Sequence, residues 1–441
     1  MKSKLAAPAF GAELSASSIE TFEARTYAKV ARRIIPFLML CYLGAYLDRV
    51  NVGFAKLQML SDLRFSETVY GIGAGIFFLG YFLFEVPSNL LLHKVGARSW
   101  LARIMLTWAV ISACFVFVKS PTTFYVLRFL LGVAEAGFAP GVILYLTYWF
   151  PAARRAKALS MFFMAIPLAG ILGGPLSGGI MHTFQGLHGL EGWKWLFMLE
   201  ALPSLVLGFA IILYLDNGIA SAKWLNDDEK TLLKRNVEKD RTQTTEHISI
   251  RAFIGDRRLW LMAGIYFCVV LGQYGLTFWL PTIIRRAGVA DPLWIGVFTA
   301  IPYTCAIIAL PLLGASADKH RERRLHLAIP MLVSAAGFAT LPMLGSVGAS
   351  IVCVSVAAAG ILASSSLFWA LPTAVLGGMS AAAGIAAVNC VANLAGFFSP
   401  AIVGWLNDLT GKSTAGLIFI STAVVVGAVL VFFVPAKTVN R

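Results

Sequence analysis

Asp48 and Arg49 stand side by side in a run of residues that is otherwise apolar, and Arg128 and Glu135 stand seven residues apart in another. Seven residues are about two helical turns, so Arg128 and Glu135 share a helix face, roughly 10 Å apart along the axis. Adjacent residues point about 100° apart, so Asp48 and Arg49 cannot both address one narrow direction. One of them lines a cavity while the other turns toward a neighbouring helix. A charge at the middle of a spanning helix costs about 2.5–3.5 kcal/mol on insertion scales, so all four side chains need a wet or paired interior. The chemistry they offer is proton and anion handling. A carboxylate takes up and releases a proton, and an arginine stays charged while presenting a planar fork to both oxygens of an organic acid. The alternative is two structural ion pairs, Asp48 with Arg128 or Arg49 with Glu135.

The elements that must position these residues are membrane helices. The chain is 58% hydrophobic and 13% charged, against about 45–50% and 25% in soluble domains. Apolar runs long enough to cross about 30 Å of hydrocarbon as helices begin near Ile34, Tyr70, Trp100, Phe124, Leu159 and Leu196, and again near Leu259, Trp294, Leu327, Ile351, Gly384 and Gly416. An all-α polytopic membrane protein with twelve transmembrane helices follows, without the short alternating strands of a membrane barrel. The net charge of +14 reflects topology: 27 of the 36 Lys and Arg fall in the N-terminal tail, the even-numbered loops and the C-terminus. By the positive-inside rule both termini are cytoplasmic, and the same distribution argues against a nucleic-acid partner. All six cysteines lie within the apolar runs, where thiols behave as small apolar groups, so neither a disulfide nor a metal site is expected. No Ser/His/Asp set, zinc spacing or phosphate loop is present, and neither an enzyme nor a cofactor is expected.

Shifting the chain by 225 residues lays the first six spans on the second six and pairs Arg98 with Arg323, Pro175 with Pro400 and Gly179 with Gly404. Two six-helix halves with parallel repeats are the architecture of alternating-access carriers, with the site at mid-membrane between them. The organisation predicted is a cytoplasmic segment at 1–33, six-helix bundles at 34–215 and 259–435, a linker at 216–258 and a tail at 436–441. Residues 19–33 alternate apolar and charged positions and suggest a short helix on the membrane surface. Asn226 and Glu229 have the spacing of a capping box, which predicts a linker helix running through about Lys239. Gly170, Gly174 and Gly178 recur every four residues and leave one face of the fifth span without side chains, suited to close helix packing. Gln273 lies 225 residues beyond Asp48 as its uncharged mate. Glu85 and Glu200 suit ion pairs at helix ends, and His182 and His188 a solvated connection.

Three segments carry a resemblance: Tyr46-Leu47-Asp48-Arg49-Val50-Asn51, Gly80 to Asn89, and Arg128 to Gly137. With Trp224 to Glu229 they resemble the major facilitator superfamily and, within it, the anion:cation symporter family, whose bacterial members take up sugar acids, tartrate-like dicarboxylates and aromatic acids with protons. The loop motif Gly314, Asp318, Lys319, Arg323 and Arg324 is well kept, and its first-half copy is degenerate at Asn89, His93, Lys94, Gly96 and Arg98. The resemblance implies anion contact by Arg49 and Arg128, proton handling by Asp48 and Glu135, a cavity lined by Tyr46 and Tyr81, further contacts from Trp369 and Asn393, and helix-end clamping by Asp318, Arg323 and Arg98. Met164 replaces a glutamine found in some sugar-acid carriers, which favours a less hydroxylated or aromatic acid. The expectation is a monomeric carrier in the bacterial inner membrane that imports a small carboxylate with protons. An exchanger or uniporter with structural Asp48 and Glu135 is the alternative, and a transport-inactive sensor a more distant one.

Overall fold

The structure, a computed structural model, describes residues 16–241, 255–375 and 380–439. The start of the N-terminal segment (1–15), the middle of the linker (242–254), residues 376–379 and the last two residues of the tail lie outside the described residues. Among the described residues twelve helices are long and apolar enough to span a membrane: α1 Glu20–Leu63, α2 Glu67–Val95, α3 Ala97–Phe117, α4 Pro121–Thr147, α5 Ala152–Thr183, α6 Gly192–Tyr214, α7 Arg257–Arg286, α8 Pro292–His320, α9 Arg323–Met343, α10 Val347–Val375, α11 Ala387–Thr410 and α12 Thr414–Phe432. They form two six-helix bundles, α1–α6 and α7–α12, joined by a linker that carries a helix at Asp227–Arg241. That helix starts with the reciprocal Asn226–Glu229 capping hydrogen bonds, 2.7 and 2.9 Å. The surface helix expected at 19–33 is not a separate element. It is the beginning of α1, in a continuous helix from Ala16 that passes through Pro36 without a break.

Several spans are broken where proline removes a main-chain donor and its ring crowds the carbonyl four residues earlier. Pro140 stands four residues after Ala136, and α4 is interrupted there, with Gly137 at φ +87°. Pro167 and Pro372 stand in the same relation to breaks at Phe163–Met164 in α5 and at Phe368 in α10. The α4 break leaves Glu135 as the last residue of its first segment.

The halves meet along two pseudo-equivalent seams, α2 with α11 and α5 with α8. Both are glycine crossings. A Cβ on Gly71 would strike the Pro400 carbonyl, and one on Gly404 the Glu67 carbonyl; on the other seam, Gly296 meets the Gly174 carbonyl and Gly178 that of Pro292. The structural counterpart of Gly404 is therefore Gly178, one residue from the pairing that a uniform 225-residue shift predicts. Gly179 instead has Leu293 Cδ1 3.8 Å from its Cβ position. Both seams lie at the end of the bundle remote from residue 16 and the linker, called here the far end.

Polar contacts between the halves reinforce the far end. Asp408 of α11 accepts from the Glu67 and Thr68 amides at the first turn of α2, 3.0 and 2.7 Å, where a negative charge meets the positive end of the helix dipole. Asp291 caps α8 and meets His182 of α5 at 3.2 Å, so His182 is part of the seam and not merely a solvated connection. Lys56 is only 1% exposed and sits within α1, not in a loop; it pairs with Glu67 at 2.5 Å between the rings of Tyr70 and Trp279. Arg286 reaches Glu67 at 3.4 Å, and the Tyr70 hydroxyl donates to the Phe278 carbonyl at 3.2 Å.

Cysteines placed at the exposed positions Lys234 and Lys412 should be labelled by an impermeant maleimide from opposite faces of the membrane; labelling from one face would overturn the twelve-span arrangement. Gly296→Val should wedge α5 from α8 at a cost of about 1–3 kcal/mol. A cysteine at Thr299, 2% exposed beside that contact, should then react faster with a water-soluble maleimide. An unchanged rate would show that the crossing does not seal the far end.

Candidate functional site

The side chains of Asp48 and Arg49 diverge as adjacent helical positions must. Arg49 turns to α4 and pairs with Glu135: its Nε donates to Glu135 Oε1 at 2.6 Å, and its Nη2 meets the same oxygen. The Glu135 side chain is 2% exposed and that of Arg49 12%. Of the two ion pairs open from the sequence, this one forms. Asp48 turns into the N-terminal bundle, where its Oδ1 accepts from Ser112 at 2.8 Å and from Asn51 at 3.4 Å. Arg128 faces α2, donating through Nε and Nη2 to the Gly73 and Ala74 carbonyls, both at 3.2 Å. It is fully buried, and its Nη1 has no partner. The rings between the charges are shared: the Phe77 centroid lies 5.0 Å from the Arg128 guanidinium and 5.4 Å from that of Arg49.

An aromatic cage surrounds the Arg49–Glu135 pair. Tyr81 and Tyr46 lie 5.1 and 6.0 Å from the guanidinium, within the range in which a ring face attracts a cation. Tyr42 and, from the second half, Tyr274 also lie in the field of Arg49. Gln273 of α7 approaches the Tyr46 side chain, so the polar mate expected from the repeat reaches the cluster from the second half. Trp369 approaches through Tyr266, ring to ring at 4.6 Å, where α10 is broken. Glu85, half-buried one helical turn beyond Tyr81, lies in the field of Arg49, and among the described residues it forms no ion pair at a helix end.

The remaining expected residues lie elsewhere. Asn393 is half-buried at the end of the first segment of α11. Asp318 is exposed at the end of α8, its carbonyl accepting from the Arg321 amide at 3.3 Å, and Arg323 opens α9. The Arg98 amide donates to Asn217 Oδ1 at 3.1 Å at the start of α3. These three occupy the end opposite the glycine seams. Met164, 56% exposed, stands at the α5 break. Sequence reasoning missed Lys56 and its rings, because nothing local marks a lysine as the partner of a glutamate on the next helix. It also placed Glu200 in an ion pair; the structure buries it, with Ser177 donating to Oε1 at 2.6 Å.

Arg49 can trade one carboxylate for another, because a fork held by Glu135 can equally grip the carboxylate of a small solute. The pair is also the costly point of the site: removing one partner of a buried pair costs about 3–5 kcal/mol, since the other is left charged and alone. Arg49→Gln and Glu135→Gln should each lower thermal stability in detergent by an amount in that range, and the double variant by less than the sum. Strict additivity would mean that the two side chains do not interact in the protein.

The Major Facilitator Superfamily model matches residues 38–400. A Pseudomonas putida protein named as a metabolite transport protein, NicT, is 47% identical over 94% of this chain and 95% of its own length. An Agrobacterium vitis protein named as a tartrate transporter is 46% identical, covering 92% and 91%. The quinolone resistance transporter of Acinetobacter baumannii is 41% identical, covering 94% and 96%. Among solved structures, an inward-facing, occupied bacterial homologue of the human lysosomal transporter Spinster superposes with a TM-score of 0.76 at 15% identity, over 94% of this chain and 97% of that one.

Proposed function

The chain belongs to the Major Facilitator Superfamily, and we propose that within it this protein is a proton-coupled importer of a small organic carboxylate. It is a multi-pass membrane transporter, not an enzyme. The observation that carries the finer reading is the Arg49–Glu135 pair, buried among tyrosine rings. While Glu135 is ionised it occupies the Arg49 fork. A proton on Glu135 weakens that hold and frees the guanidinium for the carboxylate of a solute, so anion and proton are taken up together. Loss of the proton on the other side restores Glu135 as a competitor and expels the anion. Arg128 adds a fixed positive charge behind Phe77. Tyr46, Tyr81 and Gln273 are the groups placed to meet the body of the solute, Trp369 and Asn393 more distant contributors, and Asp48 a second carboxyl that exchanges protons.

The cage favours an aromatic acid, because the rings of Tyr46, Phe77 and Tyr81 stand around Arg49 and offer stacking surface beside the fork. With both termini in the cytoplasm of an inner membrane, as the positive charges argue, the glycine seams shut the periplasmic end. Asp318, Arg323 and Arg98 then lie at the cytoplasmic helix ends, positioned to hold the alternative conformation. The relative named for quinolone resistance favours a second reading, export of an aromatic acid through the same pocket.

Purified protein should be stabilised in a thermal-shift assay by benzoate more than by tartrate, and not by benzamide, which lacks the charge. Arg49→Lys should lose most of that stabilisation, since a point charge lacks the fork. In proteoliposomes, Asp48→Asn or Glu135→Gln should still exchange internal for external acid while losing accumulation driven by a pH gradient. If both variants still concentrate the acid when ΔpH is imposed, the coupling reading is wrong and an exchanger or uniporter replaces it. Accumulation only when the gradient is reversed would select export.

A further inference from the structure

Behind the Arg49–Glu135 pair, α1, α3, α5 and α6 enclose a second polar cluster: Asp48, Asn51, Ser112, Ser177, Glu200 and Ser204, none more than 2% exposed. It contains two carboxyl groups, and among the described residues no cation pairs with either. The ionisable group facing Glu200 is Asp48 of α1, whereas α3 and α5 present only Ser112 and Ser177. Arg128 and Glu135 of α4 act on Asp48 from further off, but Arg128 Nε and Nη2 go to main-chain carbonyls and no Arg128 nitrogen pairs with Asp48. Lys194, on α6 with Glu200, meets Asp62 at 3.8 Å toward the far end.

The hydrogen bonds of this cluster do not close if both carboxyls are ionised. Ser112 and Asn51 donate to Asp48 Oδ1, and Ser177 donates to Glu200 Oε1. Asp48 Oδ2, Glu200 Oε2, Asn51 Oδ1 and the Ser204 hydroxyl have no partner. The first three are all acceptors when the carboxyls are charged, and the single Ser204 hydrogen cannot satisfy three of them. Asn51 is fully buried and stands between the two acids, its amide nitrogen on Asp48 and its side chain toward Glu200. A proton on each carboxyl turns Oδ2 and Oε2 from acceptors into donors and removes two like charges from a site without a counter-ion.

We propose that Glu200 is a third proton-binding residue of this transporter, beyond Glu135 and Asp48, protonated while the far-end seam is shut and joined to that seam through Ser177. Ser177 lies on α5 beside Gly178 and three residues after Gly174, the two glycines that touch α8. A carboxylate left at Glu200 by proton loss to water is costly in the closed packing. It favours conformations in which the seam parts and Glu200 is hydrated. The inference deepens the proton-coupled reading and rests on it for its role in transport.

The test needs no solute. Nitroxide labels on cysteines at the exposed positions Thr183 and Ala290, on either side of the α5–α8 seam, report its opening once the six native cysteines are replaced by alanine. In the otherwise unchanged protein, raising the pH should shift the distance distribution to longer values, and Glu200→Gln should hold the short distance at every pH. A Glu200→Gln distribution that moves with pH like the parent's, or a parent that does not move, overturns the proposal. Should Glu200→Gln fail to fold, infrared spectra of the parent and of Ser177→Ala decide. The carbonyl stretch of a protonated carboxyl should be present at neutral pH and move to higher frequency when the Ser177 donor is lost; absence of either effect overturns the proposal. If Glu200→Gln stays shut while accumulation of the acid proves independent of ΔpH, Glu200 stands as a conformational proton site and the coupling reading alone fails.

Discussion

A charge carried into a bilayer has to find its partner inside the protein, because water is not there to supply one. In this chain that requirement is met in three different ways. Arg49 and Glu135 neutralise each other among aromatic rings. Arg128 sets two of its three nitrogens on main-chain carbonyls of α2, and Lys56 combines Glu67 with two ring faces. Asp48 and Glu200 have only hydroxyls and an amide around them. The solutions differ in how readily they are undone. A guanidinium on helix carbonyls is part of the scaffold, whereas a salt bridge between two helices can be exchanged for a salt bridge to something else.

The same constraint bears on the irregular point at which Glu135 sits. Glu135 ends a segment of α4 at a break, four residues before which the main chain of Gly132 lies against Phe77. Breaks in α4, α5 and α10 each follow from a proline in the next turn, and each lies close to the aromatic cage or lines its flanks. Interrupted main chain at this depth is tolerated because it is buried in protein, not exposed to lipid.

Much of this architecture is legible in the linear chain, for physical reasons. Span count and pseudo-repeat follow from apolar length and from one offset, and the divergence of Asp48 from Arg49 follows from helical geometry alone. The linker helix is announced by Asn226 and Glu229, whose capping bonds are local. What escapes is whatever depends on a partner distant in sequence. The Lys56–Glu67 pair, the His182–Asp291 contact and the Asp408 cap on α2 each join separate helices, and no periodicity predicts them. Arg128 looks free to meet an anion until the carbonyls of Gly73 and Ala74 are seen beside it. The single-residue discrepancy between Gly179 and Gly178 arises because two duplicated helices, each carrying its own proline, need not keep identical register.

The glycine crossings have a thermodynamic consequence. Most protein surfaces that come together must freeze side-chain rotamers, at up to about 2 kcal/mol for the longest side chains. Where Gly174 meets Gly296, and Gly71 meets Pro400, the touching atoms belong to main chain already ordered within helices. Joining or parting these surfaces therefore leaves rotameric entropy nearly untouched there, and the balance between the two arrangements is left to a handful of charges at the margins. Small electrostatic changes at those margins therefore weigh more than they would against an interface of frozen side chains.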